Sequence, residues 1–384
     1  MNFSILHIIT RLDRGGTVDV LISLARAANK RGNRVKIITG LTDDGVEISK
    51  KNSDLDIIFV KNLKREIDPI SDIVAFFKIL YLIFKNKPTI VHTHTSKAGM
   101  LGRVGAKLAN VPIIVHTPHG HVFYGYFSKL KSKLIIGIEK YLTPFADVLI
   151  GISEGEINET IDFGVATRKK FELIRTGIFF PECFFVNSIS REKERKKFNL
   201  KENDIALAFI GRLELIKGID ILIDAFIDIS QKNRELKLIV VGDGSLYESS
   251  REKIEYNNLS HRVIFTGWRD DIWNILKAID ISVIPSRMEG MGKSAIESIF
   301  MKRVVVASSV GGLKTIIEEE KFGILVSKLN RENLSKKIME MVDKLPEYNE
   351  KNIDQVSIRK KYDNRYMVER TFNLYRKLLI KKVK

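Results

Sequence analysis

The stretch that most constrains the fold runs from residue 281 to residue 312. An apolar strand at 281–284 is followed by a loop that contains two glycines. From Lys293 the apolar residues recur at helical spacing, and a second apolar strand follows at 304–307. The order strand, glycine-rich loop, helix and strand predicts a βαβ unit of an α/β fold.

The loop of this unit suits an anion, and two carboxylates flank it. Glu289 lies at the end of the strand, and Glu297 lies about one turn into the helix. A sugar nucleotide explains both features, because its hydroxyls donate to carboxylates while its diphosphate accepts from N–H groups and cations. Taken singly, either glutamate is also explained as an exposed acid near a helix start. The residues whose N–H groups can hold the phosphates are Gly290, Met291, Gly292 and Lys293.

A second strand and loop carries cations instead of carboxylates. The apolar strand at 205–210 leads into Gly211 and Arg212, and Lys217 follows before the next helix. A guanidinium forks onto phosphate oxygens and an ammonium acts as a point charge, so the pair predicts a diphosphate clamp. The alternative is two exposed loop cations. Further along, Gly242 ends a strand, and Trp268 and Arg269 follow another.

The N-terminus repeats the pattern of strand, loop and helix. Residues 3–9 form a buried type of strand, and Gly15 and Gly16 lie in the loop before a helix. The loop lacks the G-x-G-x-x-G spacing of a dinucleotide fingerprint. A glycine pair lets a diphosphate approach the backbone, and a simple tight turn explains it equally well. The acidic pair Asp54 and Asp56 precedes a strand, so we expect it at the amino end of the sheet, away from a site.

Histidines gather at the ends of two further strands, where parallel sheets place their sites. The alternation of side chains predicts that at least one of them packs inside the protein. No pair has i, i+4 spacing and no carboxylate is near in sequence, so we predict no metal site. These residues are His92, His94, His116, His119 and His121, and Ser96 and Lys97 follow the first strand.

Length and charge limit the class of protein. A chain of 384 residues exceeds what one core usually serves, so we expect two domains. One cysteine excludes an internal disulfide and indicates a reducing compartment. The first apolar run is too short for a signal peptide, and the apolar helix at 73–84 is too short to span a bilayer. The net charge of +17 is compatible with nucleic acid, anionic membrane or phosphorylated substrates. No nucleic-acid-binding motif accompanies it.

The motifs together resemble a known family. Glu289 and Glu297 have the E-x7-E spacing of retaining glycosyltransferases with the GT-B fold, most closely glycosyltransferase family 4. Residues 289–292 read E-G-M-G, residues 211–218 read G-R-L-x-x-x-K-G, and residues 116–120 read H-T-P-H-G, as in that family. The resemblance covers nearly the whole chain. A serine after Glu297 departs from the small apolar residue that is commoner in the family.

The resemblance implies two doubly wound parallel-sheet domains that face a cleft. We expect an acceptor-side domain at 1–185, a nucleotide-sugar-binding domain at 186–364, and a C-terminal helix at 365–384 that returns to the first domain. The implied reaction moves a hexosyl or N-acetylhexosaminyl group from a nucleotide-sugar, expected to be a UDP-sugar, to a hydroxyl with retained configuration. We expect it to serve cell-surface polysaccharide synthesis, with no obligatory metal or other cofactor.

The resemblance also assigns roles to residues. Arg212 and Lys217 would neutralise the leaving diphosphate, Glu297 would hold the ribose, Glu289 would hold sugar hydroxyls, and His119 would orient the sugar. The other implied donor-binding residues are Gly15, Gly16, Gly211, Gly242, Trp268, Arg269, Gly290, Met291, Gly292 and Lys293. The implied acceptor-side residues are His94, Ser96, Lys97 and His121.

Location and partners complete the expectations. The run from Phe123 to Lys133 combines aromatic residues with lysines, which suits an interfacial membrane segment, and a loop followed by an ordinary helix fits equally well. We expect a cytoplasmic enzyme on the inner face of the plasma membrane, with a glycan or lipid-linked acceptor and no nucleic acid. A nucleotide-sugar epimerase of the same architecture remains an alternative, and a nucleic-acid-binding protein would explain the charge only.

Overall fold

A computed structural model describes residues 3–120, 123–124, 128–180 and 190–383. The chain forms two compact units. Unit 1 comprises Met1–Gly177 and Tyr362–Lys384, and unit 2 comprises Ile178–Lys361. Among the described residues, no helix combines the length and apolar character that a bilayer crossing requires.

Unit 1 is built on a parallel sheet of seven strands. Its strands are β1 Ser4–Ile9, β2 Arg34–Thr39, β3 Asp56–Phe59, β4 Ile90–His94, β5 Ile113–Thr117, β6 Val148–Gly151 and β7 Phe171–Leu173. Its helices are α1 Gly16–Lys30, α2 Asp43–Lys51, α3 Pro69–Asn86, α4 Ser96–Leu108, α5 Lys129–Leu142 and α6 Glu154–Asp162. The order across the sheet is β3-β2-β1-β4-β5-β6-β7. Asp56 begins β3, which confirms that the acidic pair lies at the amino end of the sheet.

The sheet of unit 1 is covered on both faces, as its apolar strands require. On one face, residues such as Ile5 and Val115 pack with α1 and with the C-terminal helix. On the other face, Leu6 and Ile114 pack with α3 and α4. The C-terminal helix α15 Asn364–Val383 belongs to unit 1, and its Phe372 is part of the first core. The preceding helix, α14 Gln355–Tyr362, lies in unit 2 except for its last residue.

Unit 2 is built on a parallel sheet of six strands in the order β10-β9-β8-β11-β12-β13. Its strands are β8 Ile205–Ile210, β9 Leu236–Val241, β10 Val263–Gly267, β11 Ile281–Ile284, β12 Val304–Ser308 and β13 Gly323–Val326. Its helices are α7 Arg191–Lys197, α8 Ile219–Lys232, α9 Tyr247–Tyr256, α10 Ile272–Ala278, α11 Lys293–Phe300, α12 Gly311–Glu320 and α13 Arg331–Glu350. The predicted βαβ unit is therefore β11, α11 and β12, which pair in parallel.

Both sheets are doubly wound, and this topology locates the candidate sites. In each unit the strand order reverses next to the first strand, between β1 and β4 and between β8 and β11. Ligands of such sheets bind outside the carboxyl ends of the strands at that reversal. The loops after β1, β4, β8 and β11 are therefore the expected positions of a ligand site. The predicted pair of doubly wound parallel-sheet units is confirmed.

Candidate functional site

The loop after β11 is held in place by glycine at two positions. Gly292 caps α11 with a φ of 86°, a left-handed conformation that suits glycine. A Cβ at Gly312 would lie 2.4 Å from Cα of Met291, so the start of α12 presses against the loop. The N–H of Gly312 donates to the carbonyl of Glu289 at 3.1 Å. These contacts fix the backbone between Glu289 and the first turn of α11.

The loop after β8 lies directly against the loop after β11. Gly218 adopts a left-handed φ of 72°, and a Cβ there would lie 1.9 Å from the carbonyl oxygen of Pro285. A Cβ at Gly242 would lie 1.9 Å from the carbonyl oxygen of Gly211, which closes the loop from the β9 side. The predicted cation loop and the predicted phosphate loop are thus adjacent at the reversal point of unit 2.

An ion pair joins these two loops. Lys217 Nζ donates to Glu289 Oε2 at 2.6 Å, and Ser286 Oγ lies 3.2 Å from the same oxygen. Both side chains of the pair are partly buried. The structure therefore brings together a predicted diphosphate cation and a predicted sugar-binding carboxylate. The Lys217 ammonium also balances the negative charge of Glu289 beside the phosphate loop.

Two other predicted donor-binding residues of unit 2, Arg212 and Lys293, also have carboxylate neighbours. Arg212 donates to Glu214 Oε1 at 2.8 Å, within its own loop. Lys293 Nζ lies 3.7 Å from Glu297 Oε1 across one turn of α11. Glu297 is buried, which is unusual for a glutamate and requires compensation. Glu214 was not singled out from the sequence, although its position two residues after Arg212 was visible.

Trp268 and Arg269, two of the implied donor-binding residues, directly follow β10. The Trp268 side chain is partly exposed, and its Nε1–H donates to Asp270 at 3.1 Å. Arg269 donates twice to Asp271, each time at 2.7 Å. The Arg269 guanidinium is therefore paired with an acid of its own loop.

In unit 1, the loop after β1 ends at the start of α1. Gly15 is the N-cap, with a φ of 149°, and no atom lies within 4 Å of the position a Cβ would take. Its conformation, and not crowding, requires glycine there. Gly16 is the first residue of α1, so its N–H belongs to the first turn, where helices accept anions.

Three histidines beside this loop form one hydrogen-bonded chain. His7 Nδ1 lies 3.0 Å from His94 Nε2, and His94 Nδ1 lies 2.9 Å from His119 Nε2. Their strands are neighbours, since β1 pairs with β4 and β4 with β5. His7 was not predicted as a site residue, although β1 and β4 were both expected in one parallel sheet.

The loop that carries His119 is strained and anchored. His119 has a left-handed φ of 57°, and Gly120 follows with a φ of 94°. The carboxylate of Glu156 is buried and accepts from the N–H of Gly120 at 2.5 Å and from the N–H of Ile152 at 2.8 Å. Glu156, which the sequence analysis did not identify, therefore fixes the position of His119.

Two further histidines are structural. His92 Nδ1 lies 2.6 Å from the hydroxyl of Tyr375 in α15, and its Nε2 lies 2.8 Å from Thr117 Oγ1. His116 lies on the opposite face, bonded to Thr93 at 2.9 Å and pressed against Gly99 of α4. The prediction that at least one of these histidines packs inside the protein is confirmed.

The five described histidines of unit 1 are held in the neutral form. Burial lowers the pKa of His7 and of His119 to about 3. Burial first, and then neighbouring imidazoles, place the pKa of His92 and His94 well below the usual value. Burial also depresses the pKa of His116. Neutral imidazoles can both donate and accept a hydrogen bond, as the chain of three requires.

The rings of His7, His92 and His94 bring three potential ligand atoms within 4.8 Å of one another. Both nitrogens of His92 are hydrogen-bonded, to Tyr375 and Thr117. Both nitrogens of His94 are hydrogen-bonded as well, to His7 and His119. A cation between the rings would have to break these hydrogen bonds. The donor set therefore fits a hydrogen-bonded network better than a metal centre.

The predicted acceptor-side residues differ in burial and in hydrogen bonding. His94 is fully buried, so an acceptor cannot touch it in this conformation, and it lies behind His119 instead. The Lys97 ammonium is bonded to Asp72 of α3 at 2.6 Å and is nearly buried, so it is engaged in the fold. Ser96 begins α4 and is partly exposed. His121 lies outside the described residues.

The interfacial segment predicted at 123–133 needs a correction. Phe123 is buried and packs edge-on against Phe163, so its ring cannot reach a membrane. Tyr124 donates to Glu159 at 2.9 Å. Its lysines lie at the exposed start of α5, and the two other aromatic residues, Tyr126 and Phe127, lie outside the described residues.

Comparisons with known proteins agree on one family. Residues 14–179 match the family described as Glycosyltransferase Family 4, and residues 190–355 match Glycosyl transferases group 1. The UDP-Gal:alpha-D-GlcNAc-diphosphoundecaprenol alpha-1,3-galactosyltransferase of Escherichia coli is 32% identical over 70% of this chain and 70% of its own. The capsular polysaccharide biosynthesis glycosyltransferase CapM of Staphylococcus aureus is 27% identical over 79% of this chain and 80% of its own.

A solved structure supports the fold over nearly the whole chain. Anabaena Alr3699/HepE, crystallised in complex with UDP, superposes with a TM-score of 0.77 at 19% identity. The match covers 98% of this chain and 100% of that one. It shows the architecture that the sequence motifs predicted, the GT-B fold.

Proposed function

Because this chain belongs to the family 4 glycosyltransferases, we propose that it moves a sugar from a UDP-sugar to a hydroxyl of a glycan or lipid-linked acceptor. The observation that carries the proposal is the ion pair between Lys217 and Glu289. It joins the cation loop to the phosphate loop at the strand-order reversal of unit 2. A site that holds a diphosphate cation and a hydroxyl-binding carboxylate 2.6 Å apart matches a donor whose diphosphate adjoins its sugar.

Different residues of unit 2 bind different parts of the donor. Arg212 and Lys217 stabilise the negative charge that develops on the leaving diphosphate, together with the N–H groups of residues 290–293. Glu297 accepts hydrogen bonds from the ribose hydroxyls, and its burial strengthens these bonds. Glu289 accepts from the sugar. The family resemblance supports roles for two residues of unit 1, His119 toward the sugar and the N–H of Gly16 toward the phosphates.

The nature of the donor and of the reaction is also part of the proposal. A UDP-sugar is supported by the name of the Escherichia coli relative and by the UDP in the crystals of HepE. We propose that the configuration at the anomeric carbon is retained and that no metal or other cofactor is required. The family resemblance of the two-glutamate motif supports retention. The cations of unit 2 can neutralise a diphosphate without a metal ion.

The proposal is tested in two stages. Calorimetry with UDP-, GDP- and ADP-sugars should find tight binding of a UDP-sugar only, in the presence of EDTA. Turnover with a polyprenyl-diphosphate-linked sugar should then give one product, whose anomeric configuration proton NMR reads directly. A changed sugar nucleotide in the absence of acceptor would replace this proposal by the epimerase. Activity that EDTA abolishes, or an inverted product, would contradict the corresponding part.

A lipid-linked acceptor implies contact with a membrane, and α3 offers a surface for it. One face of the helix exposes apolar side chains at alternating spacings of four and three residues. We call this set the α3 stripe, and its members are 48–77% exposed. So wide an apolar surface is unusual on an isolated soluble domain and marks an interaction site. The α3 stripe consists of Ile70, Val74, Phe77, Tyr81 and Phe84.

Charge indicates that the partner of the α3 stripe is an anionic bilayer. Lys78 and Lys85 lie exposed beside the stripe, whereas the only acid within the helix, Asp72, is bonded to Lys97. Helix α4 contacts both α3 and α5, and α5 adds exposed lysines and exposed Leu130 and Leu134. Apolar side chains with flanking lysines favour the headgroup region of anionic membranes. We therefore propose a peripheral enzyme at the cytoplasmic leaflet.

Vesicle sedimentation tests this surface. The wild type should co-sediment with phosphatidylglycerol vesicles at low salt and not with phosphatidylcholine vesicles. F77S/F84S should abolish sedimentation, and replacing Lys129, Lys131 and Lys133 by Ser should weaken it strongly, at about 1 kcal/mol for each lysine. Y256S, at an exposed tyrosine of unit 2, is the matched control and should sediment like the wild type.

The vesicle experiment can also fail in an informative way. If F77S/F84S sediments like the wild type, the α3 stripe does not contact lipid. If the same variant instead converts a dimer to a monomer in analytical ultracentrifugation, a second copy of the chain covers the stripe. Either result would contradict the membrane proposal and leave the donor-site proposal intact.

A further inference from the structure

The histidine chain of unit 1 runs from the interior of the sheet to the loop after β5. His7 and His94 are fully buried, whereas His119 is partly exposed. Each link is a direct contact between two ring nitrogens, at 3.0 Å and 2.9 Å. No carboxylate bonds to any of the three rings in the described part of the chain. The positions of the ring protons therefore depend on the rings themselves.

The number of protons that the three rings carry couples their tautomers. A neutral imidazole carries one N–H, and each link between two rings needs one donor and one acceptor. Only two arrangements satisfy both links. In the first, all three rings carry the proton on Nδ1; in the second, all three carry it on Nε2. A change at one ring then changes the proton position on the other two.

The buried end of the chain selects between the arrangements. His7 Nε2 is buried and has no hydrogen-bond partner among the described residues. In the first arrangement this atom is an unused acceptor, whereas in the second it is a buried N–H without an acceptor. Buried N–H groups without a partner are the rarer defect in folded proteins. The first arrangement is therefore favoured.

We infer that His7 and His94 are positioning residues that hold the proton of His119 on Nδ1. Among the described residues, Nδ1 of His119 makes no hydrogen bond, so this N–H is left to donate to a ligand. This step rests on the proposed function, in which His119 meets the donor sugar. It specifies the contact: His119 donates to an oxygen of the donor, either a hydroxyl oxygen or a phosphate oxygen. It also means that Nδ1 cannot remove a proton from the acceptor hydroxyl.

The tautomer can be measured without any substrate. Long-range proton–nitrogen NMR of protein labelled with ¹⁵N-histidine distinguishes Nδ1–H from Nε2–H, and H119Q assigns the His119 signals. The wild type should show Nδ1–H on His7, His94 and His119. Nε2–H on His119 of the wild type overturns the inference, whether or not the protein transfers sugar.

Two substitutions at the buried end separate positioning from packing. H7N keeps a polar group near the place of Nδ1 and can still donate to His94, whereas the carboxylate of H7D can only accept from it. H7N should retain the wild-type tautomer of His119 and most of its turnover. H7D should therefore move the proton of His94, and with it that of His119, to Nε2, and reduce kcat about tenfold or more at unchanged affinity for free UDP. Both variants are assayed below their melting temperatures.

The possible outcomes distinguish a failure of the tautomer inference from a failure of the proposed function. If H7D lowers only the melting temperature, with the tautomer of His119 and kcat unchanged, His7 is a packing residue and the inference is wrong. If the tautomers are as expected but no sugar is transferred by the wild type, the coupling stands and the proposed function fails. The exposed His261 of unit 2 provides the control, because H261Q should change neither readout.

Discussion

Lys217 and Glu289 lie 72 positions apart in sequence, yet the lysine donates to the carboxylate at 2.6 Å. Each residue neutralises the other, and each is proposed to bind a different part of the donor. When a donor binds, the ion pair therefore has to break, or each of the two residues has to contact the donor and its partner at the same time. Substitutions at the pair should affect donor binding and turnover more than folding, because both residues lie in loops.

Replacing the lysine tests this relationship. K217A removes a cation from the proposed diphosphate site and should lower kcat/KM by roughly 10- to 100-fold, the value of a charge-assisted hydrogen bond. The melting temperature should change little. K232A, at an exposed lysine that ends α8, is the control. Equal activity of K217A and K232A would remove Lys217 from the site.

The pair of Arg212 and Glu214 leads to the opposite expectation. Glu214 occupies the guanidinium in the unliganded protein and adds a negative charge beside the proposed diphosphate. E214Q should release Arg212 and raise the affinity for UDP by about two- to fivefold, since partly exposed ion pairs are weak. R212A should lower that affinity. Isothermal calorimetry measures both, and weaker binding by E214Q would mean that Glu214 orients the arginine productively.

Glu297 should act on the nucleotide alone. E297A removes the carboxylate proposed to accept from the ribose hydroxyls, so binding of free UDP should weaken by roughly 1.5–3 kcal/mol. E297Q retains one acceptor oxygen and should lose less. A 2′-deoxy analogue of UDP should bind the wild type and E297A with similar affinity. If E297A discriminates against the deoxy analogue as the wild type does, the carboxylate does not contact that hydroxyl.

Gly218 should tolerate no side chain. G218A would place Cβ 1.9 Å from the carbonyl oxygen of Pro285 and force alanine into a left-handed φ of 72°. We expect a loss of at least about 2 kcal/mol in the free energy of unfolding. G15A has open space around its Cβ and should lose less, which makes it the comparison. Chemical denaturation of both variants measures the difference.

The buried histidines should make the protein sensitive to acid. The unfolded chain binds protons on histidine near pH 6.5, whereas burial holds the folded pKa of His7 at about 3. Stability is therefore complete above pH 6.5 and falls as the pH drops toward 3, because only the unfolded state takes up protons. Between pH 7.5 and 5.5, His7 alone accounts for about 1.4 kcal/mol.

Urea denaturation at several pH values checks this dependence. H7N should reduce the slope of stability against pH between 7.5 and 5.5, whereas H261Q at an exposed position should not. A stability that is flat across this interval would show that the buried histidines are protonated in the folded protein, contrary to the effect of burial.

The fold could be predicted from the sequence because strands such as β1, β8 and β11 are largely apolar runs that are followed by loops with glycines. The reversal of strand order then placed the loops at 211–218 and 285–292 side by side, which the doubly wound expectation required. The pairing of Arg212 with Glu214 could not be predicted, because a loop sequence does not specify which way its side chains turn.

The histidine chain was missed for a related reason. His7 and His94 are 87 positions apart, and their contact depends on the register between β1 and β4. Apolar runs predict that two strands exist, but they do not specify a register to within one residue. Similarly, the composition around Phe123 suits a membrane, but its ring packs against Phe163, which a local pattern cannot show.

The position of α15 affects the order in which the units can form during synthesis. Phe372 and Tyr375 belong to the core of unit 1, and Tyr375 bonds to His92 in the middle of its sheet. These residues follow all of unit 2 in the chain. Unit 2 is continuous in sequence and can fold as the ribosome completes it, although N-terminal domains usually fold first. Unit 1 cannot complete its core until α15 has been synthesised, and until then one face of its sheet is partly uncovered.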